Sequence, residues 1–365
     1  MNDKRGVTVQ YKIGFFVLFC LSLFGVEHIY LKTPDLSREN MMGTKVGIRP
    51  YRRTGVRLEA EVLQDKLVVH NYGYGGSGLT LCLGGAKEVL DILNAQNPTS
   101  RVVAILGAGV AGLSCAHDLL EQGYEVHIYS DEWSPNLTSN IAAGIWSPLV
   151  LPKDASIEKE QLNQRMLATS EKRFLNSIGD HPEFAGVRFI ESYSFKTTIS
   201  EEAIKTKHRG EEVIVHLDNG VVKTGRKVHE LGIDGKLFVE DLFSKVKAKG
   251  ATLIQRHFEN LNDILSLSEK TIINCTSMGS RELFNDQEFM PVRGQIIHFL
   301  PQEGVNFLLY QNVPNSTTSW VSIYPWNDRL ILGGVYEHGE EEPIMVQEVV
   351  DRIIENAQKC LSGRL

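Results

Sequence analysis

The sequence predicts an α/β protein in two parts, and three observations predict it. An apolar run, Arg101-Val-Val-Ala-Ile-Leu106, enters a glycine-rich turn, Gly107-Ala108-Gly109-Val110-Ala111-Gly112, and continues as helix-forming sequence to about Gln122. A second apolar strand, Glu125 to Tyr129, then closes on Asp131, nineteen residues beyond Gly112. Beyond residue 150 the chain changes character, with strands and turns interrupted by a few helices, as in an α+β part. A chain of 365 residues with 42% hydrophobic content suffices for about two domains.

Composition narrows the function classes. Charged residues are 23% and the net charge is −7, so no basic surplus exists to neutralise a nucleic acid. Only one long apolar run occurs, which excludes a polytopic membrane protein. That run, Ile13 to Val26, follows Lys4, Arg5 and Lys12. A basic start and a short apolar stretch resemble a secretory signal. At fourteen residues it is short of the roughly 20 that span a bilayer. Its flank at Leu23 and Gly25 is a poor cleavage site, so an uncleaved anchor and a buried helix are the alternatives. The reading is a signal peptide or membrane anchor over 1–28, and a chain that is exported (periplasmic or secreted) or membrane-anchored.

The elements follow in order. Residues 29–47 are polar and turn-rich and read as a spacer or short helix. Val56 to Leu63 alternates apolar and charged residues, Gln64-Asp65-Lys66 turns the chain, and Leu67 to His70 returns, which predicts a hairpin. A glycine cluster, Gly73 to Gly78, precedes a helix over Leu81 to Leu93. After the glycine turn, Gln161 to Ile178 reads as a helix and Val187 to Phe195 and Glu212 to Leu217 as strands. Phe238 to Lys249 is helical, and Thr252 to Ile254 and Lys270 to Asn274 are strand-like. Ser319 to Pro325 and Arg329 to Gly333 form a hairpin, and a last helix covers Val346 to Cys360. The five cysteines, Cys20, Cys82, Cys115, Cys275 and Cys360, show no metal-ligand spacing and read as small buried hydrophobes, so no metal site is expected.

The glycine turn carries the first chemistry. Gly107 permits the tight turn, Gly109 lets the backbone approach a pyrophosphate, and Gly112 lets helix and strand pack closely. The helix start offers unpaired N–H groups to phosphates, and Asp131 can accept from a ribose hydroxyl. Strand, turn, helix, strand and acid together describe a Rossmann-type dinucleotide site.

Further segments resemble the D-amino-acid oxidase family of FAD-dependent oxidoreductases. Asn140-Ile-Ala-Ala-Gly144-Ile-Trp-Ser-Pro148 resembles the segment after that family's second Rossmann strand. Ile273-Asn-Cys-Thr276 and Pro291-Val-Arg-Gly-Gln295 resemble two later strands, and Leu332-Gly333-Gly334 one of its substrate domain. Gly47-Ile-Arg49-Pro50, Val56-Arg57-Leu58-Glu59 and His70-Asn-Tyr-Gly-Tyr-Gly75-Gly76-Ser-Gly-Leu-Thr80 resemble its C-terminal signature. Here that signature precedes the glycine turn, which reads as a circular permutation joined through Asn94 to Ser100. A domain-swapped arrangement, in which residues 47–93 complete a neighbour's site, is the rival reading.

The resemblance implies FAD, and a Rossmann-type FAD-binding domain beside an antiparallel-sheet substrate domain. The FAD-binding domain would comprise 29–150 and 237–289, and the substrate domain 151–236 and 290–365. By the same resemblance Gly107, Ala108, Gly109, Gly112 and Asp131 hold the pyrophosphate and ribose, with Thr138 and Ser139 on phosphate oxygens. Gly144 and Ile145 run along the isoalloxazine, Gly75, Gly76 and Thr80 line its pyrimidine edge, and Phe258 belongs to the cofactor-binding set. Arg49 clamps an amino-acid carboxylate, against the alternative of a structural ion pair. Two tyrosines usual in the family's substrate hairpin appear as Thr318 and Ser322, with Tyr324 and Trp320 as substitutes. The family's glutamine is Ser147, and its Thr-Gly is Thr276-Ser277.

The implied reaction is oxidation of the C–N bond of a D-amino acid. A hydride passes to the flavin, the imine hydrolyses, and O2 becomes H2O2, or a quinone accepts the electrons if the chain is tethered. A flavin dehydrogenase of a glycine-like secondary amine, or a FAD-binding protein that has lost catalysis, are the alternatives. The partners implied are an amino-acid or amine substrate and an electron acceptor, with no nucleic acid; the oligomeric state is left open.

Overall fold

A computed structural model describes residues 26–147, 155–195, 210–313 and 320–365. The expected signal or anchor lies, but for its last residues, outside them, as do Cys20, Pro148 and Thr318. Among the described residues no helix is long and apolar enough to cross a membrane.

The strands in chain order are β1 (Glu27–Leu31), β2 (Met41–Arg52), β3 (Arg57–Leu63), β4 (Lys66–Tyr72), β5 (Val102–Leu106), β6 (Glu125–Ser130), β7 (Val187–Phe195) and β8 (Glu211–Leu217). They continue as β9 (Val222–Ile233), β10 (Thr252–Gln255), β11 (Thr271–Asn274), β12 (Phe289–Phe299), β13 (Leu308–Asn312), β14 (Trp320–Pro325), β15 (Leu330–Gly333) and β16 (Glu337–His338). The helices are α1 (Gly78–Gln96), α2 (Val110–Glu121), α3 (Thr138–Ile141), α4 (Ile157–Leu175), α5 (Gly235–Ala248), α6 (Leu261–Leu265), α7 (Ser280–Leu283) and α8 (Gln347–Leu361).

Two sheets organise these elements. The smaller has the order β10-β6-β5-β11-β4-β3 and is parallel except for β3. Its central strands are short apolar runs because both faces are covered: Val103 to Leu106 and Thr271 to Asn274 are all buried. On one face α1, α2 and α5 pack through Val89, Leu93, Leu113, Leu119, Phe238 and Leu242. Phe238 meets Phe174 and Phe184 edge-on at 5.3 Å each, a geometry that aromatic quadrupoles favour. The hairpin β3–β4 joins this sheet beside β11, and α1 then crosses to β5 on the other side of β11.

The larger sheet runs β1-β8-β9-β7-β13-β14-β15-β12-β16, with β2 also on β12. Helix α8 covers it with Val350, Ile353, Ala357 and Leu361.

The expected hairpins, the glycine turn and the long helices stand where the sequence places them. Residues 29–47 do so only in part: they hold a short helical turn, Arg38–Asn40, but also the end of β1 and most of β2. Strand β2 pairs with β12 along its length, Arg49 opposite Val292 and Gly47 opposite Gly294, so it lies in the larger sheet. It is half-buried along most of its length, and a strand without a clean inner and outer face shows no period of two.

Candidate active site

The two glycine-rich stretches meet. Gly107 ends β5 with a positive φ of 101°, its N–H donates to the Tyr129 carbonyl at 2.8 Å, and a side chain there would strike the Cys275 carbonyl. A Cβ on Gly112 would stand 2.0 Å from the Gly107 carbonyl, so helix and turn touch backbone to backbone. Gly109 is different: a Cβ there would meet only the Ser139 hydroxyl, at 3.6 Å. That space, beside the first turn of α2, is where a phosphate would fit. The Ser139 hydroxyl already accepts from the Val110 N–H at 3.1 Å, and Ser130 Oγ accepts from the Ala108 N–H at 3.3 Å. Thr138 and Ser139 begin α3 directly over this turn.

Asp131 follows β6, is solvent-exposed, and faces His257 Nδ1 at 3.1 Å. Phe258 lies just past β10, buried edge-on against Tyr129 with the Arg256 guanidinium on its ring. Within α3, the Asn140 side-chain oxygen is buried with no hydrogen-bond partner. An open space at Gly109, hydroxyls and N–H donors around it, an exposed acid and an unmet acceptor fit a dinucleotide cofactor.

The second stretch packs alongside. Gly78 approaches Val110, and Thr80 Oγ1 accepts from the Ser147 N–H at 3.0 Å. Gly75 has φ +57°, and its N–H donates to the Pro50 carbonyl at 3.1 Å, which ties the loop to β2. Segment 144–146 runs beside β9: Ile145 bridges Gly232, and the Gly144 carbonyl accepts from the Ile233 N–H at 2.7 Å. The indole N–H of Trp326, just past β14 of the same larger sheet, donates to the Ala143 carbonyl at 2.9 Å and holds the start of this segment.

Four arginines cluster by sequence at 49–57, and the structure sorts them. Arg52 is buried in a pair with Asp286 at 2.8 Å, which Tyr72 also bonds. Arg53 pairs with Glu288 at 3.7 Å and Arg57 with Glu59 at 2.7 Å. Arg49 is half-buried and has no carboxylate partner among the described residues. Its Nη1 donates to the Val335 carbonyl at 3.1 Å. Its guanidinium lies over Gly294 of β12, and its Cδ is 3.5 Å from a Cβ built on Gly76. Arg49 thus spans from the larger sheet to the glycine loop.

The larger sheet also carries a pair of neighbouring tyrosines. Tyr310, Ser322 and Tyr324 share one face of β13 and β14, because Tyr310 sits opposite Ser322 and side chains alternate. Tyr310 and Tyr324 meet edge-on at 6.0 Å. Burial pushes the Tyr324 hydroxyl up, partly offset by hydrogen bonds from Ser322 and Tyr310; burial also raises Tyr310, well above the ordinary phenol value. Both therefore stay protonated donors at neutral pH. Trp320, the other expected substitute, is 45% exposed at the start of β14.

Sequence reasoning missed Tyr310, Tyr336 and Gly294. Tyr336 has a signal, its place two residues after the Gly333-Gly334 pair, and Gly294 lies within the Pro291-Val-Arg-Gly-Gln295 motif, whereas Tyr310 has none outside the strand register. The described cysteines, Cys82, Cys115, Cys275 and Cys360, are all buried free thiols. Burial pushes Cys82 up to about 12, which leaves it unreactive.

Comparison with known proteins places the chain in a family. The model of the FAD dependent oxidoreductase (DAO) family matches residues 103–365. A D-amino acid oxidase of Dugesia ryukyuensis is 29% identical over 53% of this chain, which spans 60% of that relative's length. The human (Homo sapiens) D-aspartate oxidase is 26% identical over 65% of this chain and 69% of its own. Among solved structures, an iminodiacetate oxidase of Chelativorans sp. BNC1 superposes with a TM-score of 0.53 at 17% identity, covering 72% of this chain and 79% of that one.

Proposed function

Because the chain belongs to the DAO family of FAD-dependent oxidoreductases, we propose that its substrate is a D-amino acid, oxidised at the bond between the α-carbon and nitrogen. One observation carries this reading: Arg49 is the member of its arginine cluster left without an acid among the described residues, and it reaches the glycine loop. A half-buried guanidinium without an anion is favoured to take one, and its planar fork matches a carboxylate. The curated relatives named for D-amino acids support the choice of substrate.

The residues divide the work. Gly107, Ala108, Gly109 and Gly112 would seat the pyrophosphate of FAD with Thr138 and Ser139, and Asp131 its ribose. Phe258 would support the Tyr129 side of that cradle. Gly75, Gly76, Thr80, Gly144 and Ile145 would line the ring system. When bound, FAD supplies the two-electron acceptor for the oxidation. Arg49 holds the carboxylate and so fixes the direction of the α-carbon, an effect of position rather than of proton transfer. Tyr324, kept protonated by burial and accepting from Tyr310 and Ser322, offers its own hydrogen bond to the polar part of the substrate. The imine product hydrolyses in water to a keto acid and ammonia. O2, or a quinone if residues 1–28 tether the protein to a membrane, would receive the electrons next.

The chain order is read as a circular permutation. The family match starts at residue 103, while β3 and β4 lie upstream of it yet sit in the same sheet as β5 and β11, with α1 packed on that sheet. A rearranged gene that places residues 26–100 after residue 365, so that β1 and β2 stay whole, should yield a FAD-binding protein; loss of FAD binding on rearrangement would count against the permutation.

A panel of D-amino acids, their L-enantiomers and N-substituted glycines, each added to the FAD-bound protein without oxygen, tests the substrate. Loss of flavin colour with D-amino acids supports the reading. Loss of colour with N-substituted glycines alone would assign a secondary-amine dehydrogenase instead.

A further inference from the structure

Arg49 is held between a floor and a roof. Gly294 forms the floor, where any Cβ would stand 2.5 Å from Nη1. The roof is Tyr336, whose ring centroid lies 4.3 Å from the guanidinium carbon. That ring is 48% exposed, so it forms the outer layer between Arg49 and solvent.

The backbone on either side fixes the ring in place. Gly334 has φ +141°, and a Cβ there would stand 1.8 Å from the Trp320 carbonyl, so this residue lies flat against β14. Val335 then turns its carbonyl to Arg49 Nη1. On the far side, the Glu337 carboxylate takes Arg293 at 3.0 Å through both oxygens and Gln295 at 2.8 Å. Both partners belong to β12, the strand that carries Gly294. Roof and floor are therefore built on one frame.

We propose that Tyr336 is a positioning residue for substrate: its ring covers one face of the Arg49 guanidinium and leaves the N–H edge to an α-carboxylate. This rests on the reading of Arg49 as the carboxylate clamp. An aromatic face attracts a guanidinium and screens it from water, which strengthens the bond to an incoming anion. The ring performs this, not the hydroxyl, so Tyr336→Phe should be nearly silent and Tyr336→Leu should not.

The test uses the FAD-bound protein, propionate as a carboxylate probe followed through the flavin spectrum, and steady-state kinetics with the best D-amino acid. Tyr336→Phe should keep the propionate Kd within about twofold, whereas Tyr336→Leu should raise both Kd and KM by about 3–30-fold and change kcat less. In an Arg49→Ala background Tyr336→Leu should add nothing, because the group it positions is gone. A Leu variant within twofold of the parent, or one whose effect persists in full without Arg49, would overturn the proposal. If Arg49→Ala alone leaves propionate affinity intact, the clamp itself fails, which is a separate result. Should the Leu variant not fold, Tyr336→Met makes the same comparison.

Discussion

Gly294→Ala is the sharpest perturbation of the site, because it adds one methyl group to the floor beneath Arg49. The new carbon would stand 2.5 Å from Nη1 and 2.8 Å from Cζ and Nη2. Non-bonded heavy atoms settle near 3.5 Å, so the guanidinium must retreat by about 1 Å. Gly294 is not among the residues with positive φ, so alanine is tolerated by the β12 backbone. The cost falls on recognition. Losing one of two charge-assisted hydrogen bonds removes about 1.5–3 kcal/mol, or roughly 10–100-fold in affinity. A displacement of this size at a positioning group has a comparable effect on rate. Titration of FAD-bound Gly294→Ala with propionate should therefore show a Kd raised by about 10–100-fold, with FAD still bound and thermal stability little changed. A Kd within twofold of the parent would refute both the placement of the guanidinium over Gly294 and its role as the clamp.

Other expectations rest on independent features. Asp131→Ala should weaken FAD binding by about 10-fold or more while leaving urea unfolding of the apoprotein within about 0.5 kcal/mol, since the residue is exposed. Arg52→Ala leaves Asp286 buried without its cation and should lower unfolding free energy by about 3–5 kcal/mol in urea titration. Burial, with Arg329 and Lys45 nearby, holds His298 down at about 4, against about 6.5 in an unfolded chain. The unfolded chain therefore takes the proton first, so the stability this group contributes is full above about pH 6.5 and is lost as pH falls towards 4. In His298→Gln, the drop in unfolding free energy between pH 7 and pH 4 should shrink by about 2–3 kcal/mol.

Much of the fold was legible because its signals are local. The glycine turn is read from spacing, since Gly112 answers to the Gly107 carbonyl five residues before it, although the Cys275 carbonyl that also confines Gly107 lies far off in sequence. The β3–β4 hairpin is read from alternation across a two-residue turn. Strand β2 was missed because its partner, β12, lies about 240 residues away and neither face of β2 is fully buried. The site divides in the same way. Arg49 was legible through a motif, but its freedom from an acid is visible only when Asp286, Glu288 and Glu59 are seen on its neighbours. Tyr310 and Tyr336 reach the site through sheet register and a backbone turn, which no short-range pattern encodes.

The central claim is that Arg49 presents an amino acid to bound FAD. Anaerobic addition of D-amino acids to FAD-bound protein, beside the FAD-bound Arg49→Ala variant, tests it most directly. Rapid loss of flavin colour is expected in the parent. The variant should keep its colour at the same substrate concentration yet lose it to dithionite. Equal bleaching of both proteins, or a parent that no D-amino acid bleaches, would contradict it.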